Sequence, residues 1–380
     1  MIRGENRGES MINFLNNMNL LPTNFIVANI VEILKEDPDN GVEKLYEMSK
    51  SFITDPQIQQ IVNEIKYYYD THPSVKRYIK NMVYNTHKNC LNHFLQNVAI
   101  KEFWEGLSKR EKNAQALQIN VPHAIVINMG MNCNFACKGC LCQTDPNLVL
   151  PLNEVDRLVM EGRELGIHLF VLTGGEPFMN DGLLKLYEKY SDVEFIVLTN
   201  GSLLDDVRCQ QLVQLGNVLP LLILEGNQEQ VAKVTDSGVY SMVMQTLDRM
   251  KAYGLLFGIV TPTKLSNLEV VMSDPFILPL IRKGSRIHAF ITTENDQAEE
   301  KLDATQLKWL DQNIGFMRQN RPYMAVHLNS ANPFVCRCVV GPVSYHFELG
   351  EMSSIFNFPQ ISSKNSMGQR LTTVLKAVRY

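Results

Sequence analysis

Three cysteines stand within eight residues, as Cys133-Asn-Phe-Ala-Cys137-Lys-Gly-Cys140. A thiolate is a soft, anionic ligand, and three on one short loop can converge on a single iron–sulfur cubane. A [4Fe-4S] cubane held by three cysteines keeps one iron without a protein ligand, and a small molecule can bind there. Zinc is the other reading of this spacing, with Cys142 as a fourth ligand. The chain has eight cysteines, the others being Cys90, Cys209, Cys336 and Cys338. A tight group of this kind in a long chain points to metal binding rather than to a disulfide framework. Cys90 and Cys209 fall in helical patterns and read as small buried hydrophobes.

Further polar groups recur at the ends of apolar runs. In Thr173-Gly174-Gly175-Glu176-Pro177, paired glycines let main-chain atoms approach a ligand closely. The carboxylate beside them can accept hydrogen bonds from an ammonium group. Alone, this string also reads as a turn. Thr199-Asn200-Gly201 ends a second apolar run, and its polar side chains can reach a ribose or a carboxylate, although Asn-Gly is equally a turn signal. Leu224-Glu225-Gly226-Asn227 ends a third run, with Glu225 as the candidate ligand contact. Val260-Thr261-Pro262-Thr263 with Asn267 ends a fourth. No residue can be singled out as a substrate acid or base. Tyr345, His346, His288 and Glu294 sit where substrate contacts could occur, but a structural or solvated role is the favoured reading for each.

These groups need elements to position them. Residues 10–118 read as helical, with segments at 24–36, 41–53, 56–70, 74–98 and 100–113. In the first, Ile26, Val27, Ile30, Val31 and Leu34 recur at helical spacing up to Asp37-Pro38. Tyr67-Tyr68-Tyr69 is expected to pack inside this region, and Met11–Leu15 to join a core. After Pro122 the pattern alternates. Strands are expected at 124–129, 168–172, 194–198, 218–224, 255–260 and 286–291. Helices are expected near 153–165, 181–190, 204–215, 239–253, 272–283 and 303–319. Such alternation predicts an α/β fold in which six parallel strands form an open, partial (β/α)6 barrel. Chemistry in such barrels sits at the carboxyl ends of the strands, where each polar group above falls. The expected division is 1–120 as an N-terminal helical region, 121–320 as the partial barrel, and 321–380 as a small C-terminal extension ending in a helix near 366–378.

A CxxxCxxC loop after the first barrel strand, followed one β/α unit later by Gly-Gly-Glu-Pro, resembles the radical S-adenosylmethionine (SAM) superfamily. The resemblance implies a [4Fe-4S] cluster on Cys133, Cys137 and Cys140, with SAM chelating the open iron. It implies that Gly174, Gly175, Glu176 and Pro177 bind the methionyl amine, and that Thr199, Asn200 and Glu225 contribute to SAM binding. Reductive cleavage would then yield a 5′-deoxyadenosyl radical that abstracts hydrogen from an unidentified peptide, lipid or small molecule. A flavodoxin or ferredoxin is the implied electron donor. Phrases such as Cys137-Lys-Gly-Cys140, Gly216-Asn217-Val218 and Ser273-Asp274-Pro275-Phe276 resemble a subgroup with a SPASM-like C-terminal extension. Here that extension departs from the pattern, since no cysteine follows Cys338. An auxiliary cluster would have to draw on Cys336, Cys338, Cys142 and His346; otherwise those cysteines pack. The loop after Cys140, Leu141-Cys142-Gln143-Thr144-Asp145, also departs. A non-catalytic iron–sulfur or SAM-binding regulatory protein is the alternative.

A net charge of −4 without a basic stripe argues against nucleic acid as a partner. The first ten residues are polar, and no apolar run reaches 18 residues, so neither a leader nor an integral membrane segment is expected. The expected location is the cytoplasm.

Overall fold

The computed structural model describes residues 23–37, 40–53, 56–119, 121–138, 140, 147, 149–292, 298–328, 345–348, 360–362 and 370–377. Cys142, Glu294, Cys336, Cys338 and Met11–Leu15 lie outside them. Among the described residues, no helix is long and apolar enough to cross a membrane.

All the strands run parallel. β1 (Ala124–Asn128), β2 (Leu169–Thr173), β3 (Glu194–Thr199), β4 (Val218–Ile223), β5 (Gly258–Pro262), β6 (Ile287–Ile291) and β7 (Met324–Leu328) lie side by side in chain order and curl into a half-barrel. Register runs from Ile125 opposite Phe170 to Ile287 opposite Met324. On the far side of β1, β8 (Tyr345–Glu348) and β9 (Gln360–Ser362) extend the same ladder. The six expected strands are all present, each end within three residues of its expected place. β7 exceeds the six-stranded expectation. It is an edge strand that reads Met-Ala-Val-His-Leu, alternating rather than uniformly apolar, and so lacks the continuous run of a strand buried on both faces.

The strand period of two separates two apolar layers. Ile125, Ile127, Phe170, Leu172, Phe195, Val197, Ile259 and Phe290 face the outer helices. Those helices are Leu152–Leu165, Gly182–Lys189, Asp206–Leu215, Val239–Tyr253, Asp274–Arg282 and Ala304–Asn320. Val126, Val171, Leu198, Leu219, Leu221, Val260, Ala289 and Ile291 form the inner layer, against which Met82 and Phe94 of the N-terminal helices pack. Glu102, Asn97 and His87 bond His168, Glu194 and Gly254, which precede or begin β2, β3 and β5, so the helical region packs against the amino ends of the strands.

The N-terminal helices are Thr23–Glu36, Gly41–Phe52, Pro56–Thr71, Pro73–Asn85, Lys88–Phe94 and Gly106–Leu117. The single helix expected over 74–98 is broken at Thr86-His87. There the His87 N–H donates to Gly254 O at 2.6 Å, and the His87 ring accepts from Asn89 N to start the next helix. Between Leu95 and Glu105 the helix widens to i→i+5 hydrogen bonds. This stretch delivers Glu102, which is 1% exposed, to the base of β2. Glu102 Oε1 pairs with Arg110 Nη1 at 2.6 Å, and its Oε2 accepts the His168 N–H at 2.9 Å. Arg110 also donates to Gly166 O. Of the three consecutive tyrosines, only Tyr69 is buried; Tyr67 and Tyr68 stand in solvent, contrary to expectation. The helix Pro56–Thr71 packs on its neighbours along one edge, so consecutive residues cannot all face inward.

Candidate functional site at the carboxyl ends of the strands

The chain leaves β1 at Asn128 and returns as the Gly130–Val149 bridge, with Leu150 N donating to Met129 O. The intervening cysteine loop is therefore closed at its base. Its first turn rides directly on the Gly174-Gly175-Glu176 segment. Met129 N donates to Thr173 O, Gly175 N to Gly130 O and Glu176 N to Asn132 O, at 2.7–2.8 Å. The two glycines make this approach feasible. A Cβ on Gly175 would stand 1.9 Å from Asn132 O. Gly174 takes φ +121°, and a Cβ there would stand 2.6 Å from Gly130 O. Further along, Lys138 N donates to Val234 O and Cys140 N to Cys137 O.

The loop thus presents Cys133 and Cys137 half-buried and Cys140 exposed, none of them in a disulfide. Burial raises the Cys133 thiol, with the charges of Glu176 and Cys140 adding to it. Cys137 is pushed up to about 11 by burial and then by Cys140, Cys133, Glu225 and Asp236. The three sulfurs therefore feel one another, and Glu225 lies on their side of the barrel mouth. Two N–H groups face the Cys133 sulfur: the main chain of Phe135 at 3.4 Å and Asn200 Nδ2 at 3.9 Å. N–H donors of this kind stabilise a sulfur that carries thiolate charge.

Glu176 is buried, and burial raises its pKa. Its carboxylate is turned toward the strand ends. Oε1 accepts from Thr199 Oγ1 at 2.8 Å and from Phe178 N at 3.1 Å, while Oε2 accepts from Asn200 N at 2.8 Å. Glu176 thereby ties the end of β2 to the end of β3, and Pro177 starts the short turn that supplies Phe178 N–H. Thr199 in turn accepts from Gly201 N. The candidates Gly174, Gly175, Glu176, Pro177, Thr199 and Asn200 are thus one connected unit beneath the cysteine loop.

Other groups have different roles. Asn227 caps the helix Gln228–Val234 by accepting from Glu229 N and Gln230 N. Asn267, 4% exposed, donates to Glu225 O and Pro262 O and so joins the ends of β4 and β5. His288 lies buried on the outer face with Phe290, in the structural role favoured for it over substrate contact. Its ring stacks on Phe290 at 4.0 Å and meets Thr261 Oγ1 at 2.7 Å and Tyr323 OH at 3.3 Å. Its burial lowers its pKa to about 3. The residue missed in the sequence is Asn134, whose Oδ1 accepts from Asn200 Nδ2 and whose Nδ2 donates to Ser202 Oγ. Its signal was a polar residue between two of the clustered cysteines.

Among the described residues, no three Cys, His, Asp or Glu side chains are gathered as they would be around one metal ion. A cubane spreads its ligands over different irons, and the residues present fit it: three mutually sensing thiols on a pinned loop, with N–H donors aimed at one sulfur.

The family model of the radical SAM superfamily matches residues 127–267, a span that runs from β1 through Glu225. A GTP 3′,8-cyclase of Alkaliphilus oremlandii is 28% identical over 148 residues, covering 36% of this chain and 44% of that protein. A GTP 3′,8-cyclase of Parasynechococcus marenigrum is 33% identical over 103 residues, covering 24% of this chain and 30% of that protein. The chain therefore spans less than half the length of these two relatives. Among solved structures, Streptococcus suis SuiB bound to precursor peptide SuiA aligns with a TM-score of 0.49 at 16% identity, over 68% of this chain and 62% of that one.

Proposed function

We infer that this chain, which belongs to the radical SAM superfamily, reductively cleaves S-adenosylmethionine at a [4Fe-4S] cluster held by Cys133, Cys137 and Cys140. The observation that carries this reading is the cysteine loop hydrogen-bonded, main chain to main chain, onto Gly174-Gly175-Glu176. When bound, such a cluster supplies the electron that splits the sulfonium, giving methionine and a 5′-deoxyadenosyl radical that takes a hydrogen atom from substrate.

The chain's own residues hold that chemistry in place. Three thiolates offer ligands from one loop, whose closed base and contact with Val234 O limit its motion. Phe135 N–H and Asn200 Nδ2 face the Cys133 sulfur. Glu176 locks the ends of β2 and β3 beneath the loop, and the proposed SAM pocket lies between those ends and Glu225. Met82 and Phe94 of the helical region pack on the inner apolar layer. The substrate is an organic molecule with an abstractable hydrogen: a peptide, a lipid or a small molecule. A reduced flavodoxin or ferredoxin in the cytoplasm, where thiols stay reduced, is the proposed electron source.

The test is anaerobic reconstitution with iron and sulfide, followed by SAM and dithionite, with 5′-deoxyadenosine measured by chromatography. The wild type is expected to produce it, and Cys137→Ala to stay at the level of a protein-free blank. A loaded cluster that yields none, even with cell extract as a source of substrate, would favour the non-catalytic SAM-binding reading. Failure of any cluster to form would refute the assignment.

A further inference from the structure

Asn200 is held in one orientation. Its Oδ1 accepts the Ser202 N–H at 2.9 Å, a donor that requires an oxygen there. Its main-chain N–H is fixed on the buried Glu176 carboxylate. The amide therefore cannot flip, and its NH2 group must face the cysteine loop. One N–H goes to Asn134 Oδ1 at 2.9 Å; the other is directed at the Cys133 sulfur, 3.9 Å away. Asn134 is pinned in turn by Ser202 Oγ at 2.8 Å. A four-residue polar network, built from the loop and the end of β3, thus exists around one sulfur of the three.

We propose that Asn200 is a positioning residue that tunes the cluster through the Cys133 sulfur, donating an N–H that withdraws charge from this one ligand. This rests on the reading that Cys133 is a cluster ligand. Hydrogen bonds to ligand sulfurs favour the more electron-rich, reduced cluster and raise its reduction potential. Removing the donor makes the cluster harder to reduce.

The test is a redox titration of the reconstituted cluster without SAM, followed by the electron paramagnetic resonance signal of the reduced state. Wild type, Asn200→Leu and Asn200→Asp are compared at equal iron per chain. Both variants are expected to shift the midpoint to more negative potential. The shift should be larger for Asn200→Asp, which keeps an acceptor for Ser202 N–H but turns an oxygen toward the sulfur. Should Asn200→Leu fail to load iron, Asn200→Ala, which also lacks the N–H and adds no charge, decides in its place. An unchanged or raised midpoint in a loaded variant overturns the proposal, because a residue that only contacts SAM or only packs leaves the SAM-free potential where it was. If the wild type itself takes up no cluster, it is the parent reading that fails.

Discussion

Replacing Gly175 by alanine tests whether the cysteine loop is held by close backbone contact. The new Cβ would lie 1.9 Å from Asn132 O and 2.4 Å from Asn132 C. Ordinary contact begins near 3.4 Å, so the two segments must part by roughly 1.5 Å. The obstructing atoms are main chain and cannot swing aside as a side-chain tip would. Parting breaks Gly175 N–H to Gly130 O and Glu176 N–H to Asn132 O, at about 1 kcal/mol net each. Residual crowding adds about 1–3 kcal/mol. The expected loss is about 3–5 kcal/mol, within the stability of an ordinary domain, so the barrel folds while the loop is displaced. Urea unfolding would report the loss, and iron per chain after reconstitution would fall with it. Gly315→Ala is the control: it lies in the helix Ala304–Asn320 with nothing within 4 Å of its new methyl, and is expected to gain about 0.5–1 kcal/mol. Wild-type urea midpoint and iron content in Gly175→Ala would refute the account of the loop.

Glu102→Ala leaves the Arg110 guanidinium, 3% exposed, without its carboxylate, and is expected to cost about 3–5 kcal/mol by urea unfolding; a loss under about 1 kcal/mol would show that the pair does not anchor the helical region. Glu194 is buried and its pKa is raised to about 8 by that burial, with Asn97 opposing. A carboxylate raised in the folded state contributes stability that is full below its unfolded value near 4.5 and is lost as pH rises through the folded one. Wild-type stability should therefore fall between about pH 5 and 8 by up to about 1.4 kcal/mol per unit, and Glu194→Gln should flatten that slope in urea midpoints; equal slopes would contradict it. His288→Ala removes a fully buried ring from the outer layer and is expected to cost about 3 kcal/mol while leaving SAM affinity, measured by equilibrium binding, unchanged; weakened SAM binding at unchanged stability would return His288 to the site.

Most of the strands were legible because parallel strands covered on both faces read as continuous apolar runs, as Phe195-Ile-Val-Leu198 does. Helix starts were legible where the apolar period was long. The short helices Gln228–Val234 and Leu268–Val271 escaped, since four to seven residues hold too few periods and Asn227 was read as part of a ligand motif rather than as a cap. The cysteine loop, Glu176, Thr199 and Asn200 were legible as residue types after strands, but their connections were not. Nothing local in the chain says that the Glu176 carboxylate faces Thr199 and Asn200, or that the parity shared by His288 and Phe290 is the one turned to the outer helices. Those facts depend on register between strands more than twenty residues apart.

The Glu102 contacts also order events in time. Its partner N–H at His168 follows it by 66 residues, which takes about 3–13 s to synthesise at ordinary ribosomal speed. Through that interval the helical region has Arg110 as a counter-ion but no β2 to dock on, and Met82 and Phe94 have no barrel floor to cover. The nascent helices are therefore an adhesive, half-finished surface until β2 arrives, and their later strand contacts extend the delay. Slow translation across residues 103–168 would lengthen the period in which a chaperone, rather than the barrel, must cover that surface.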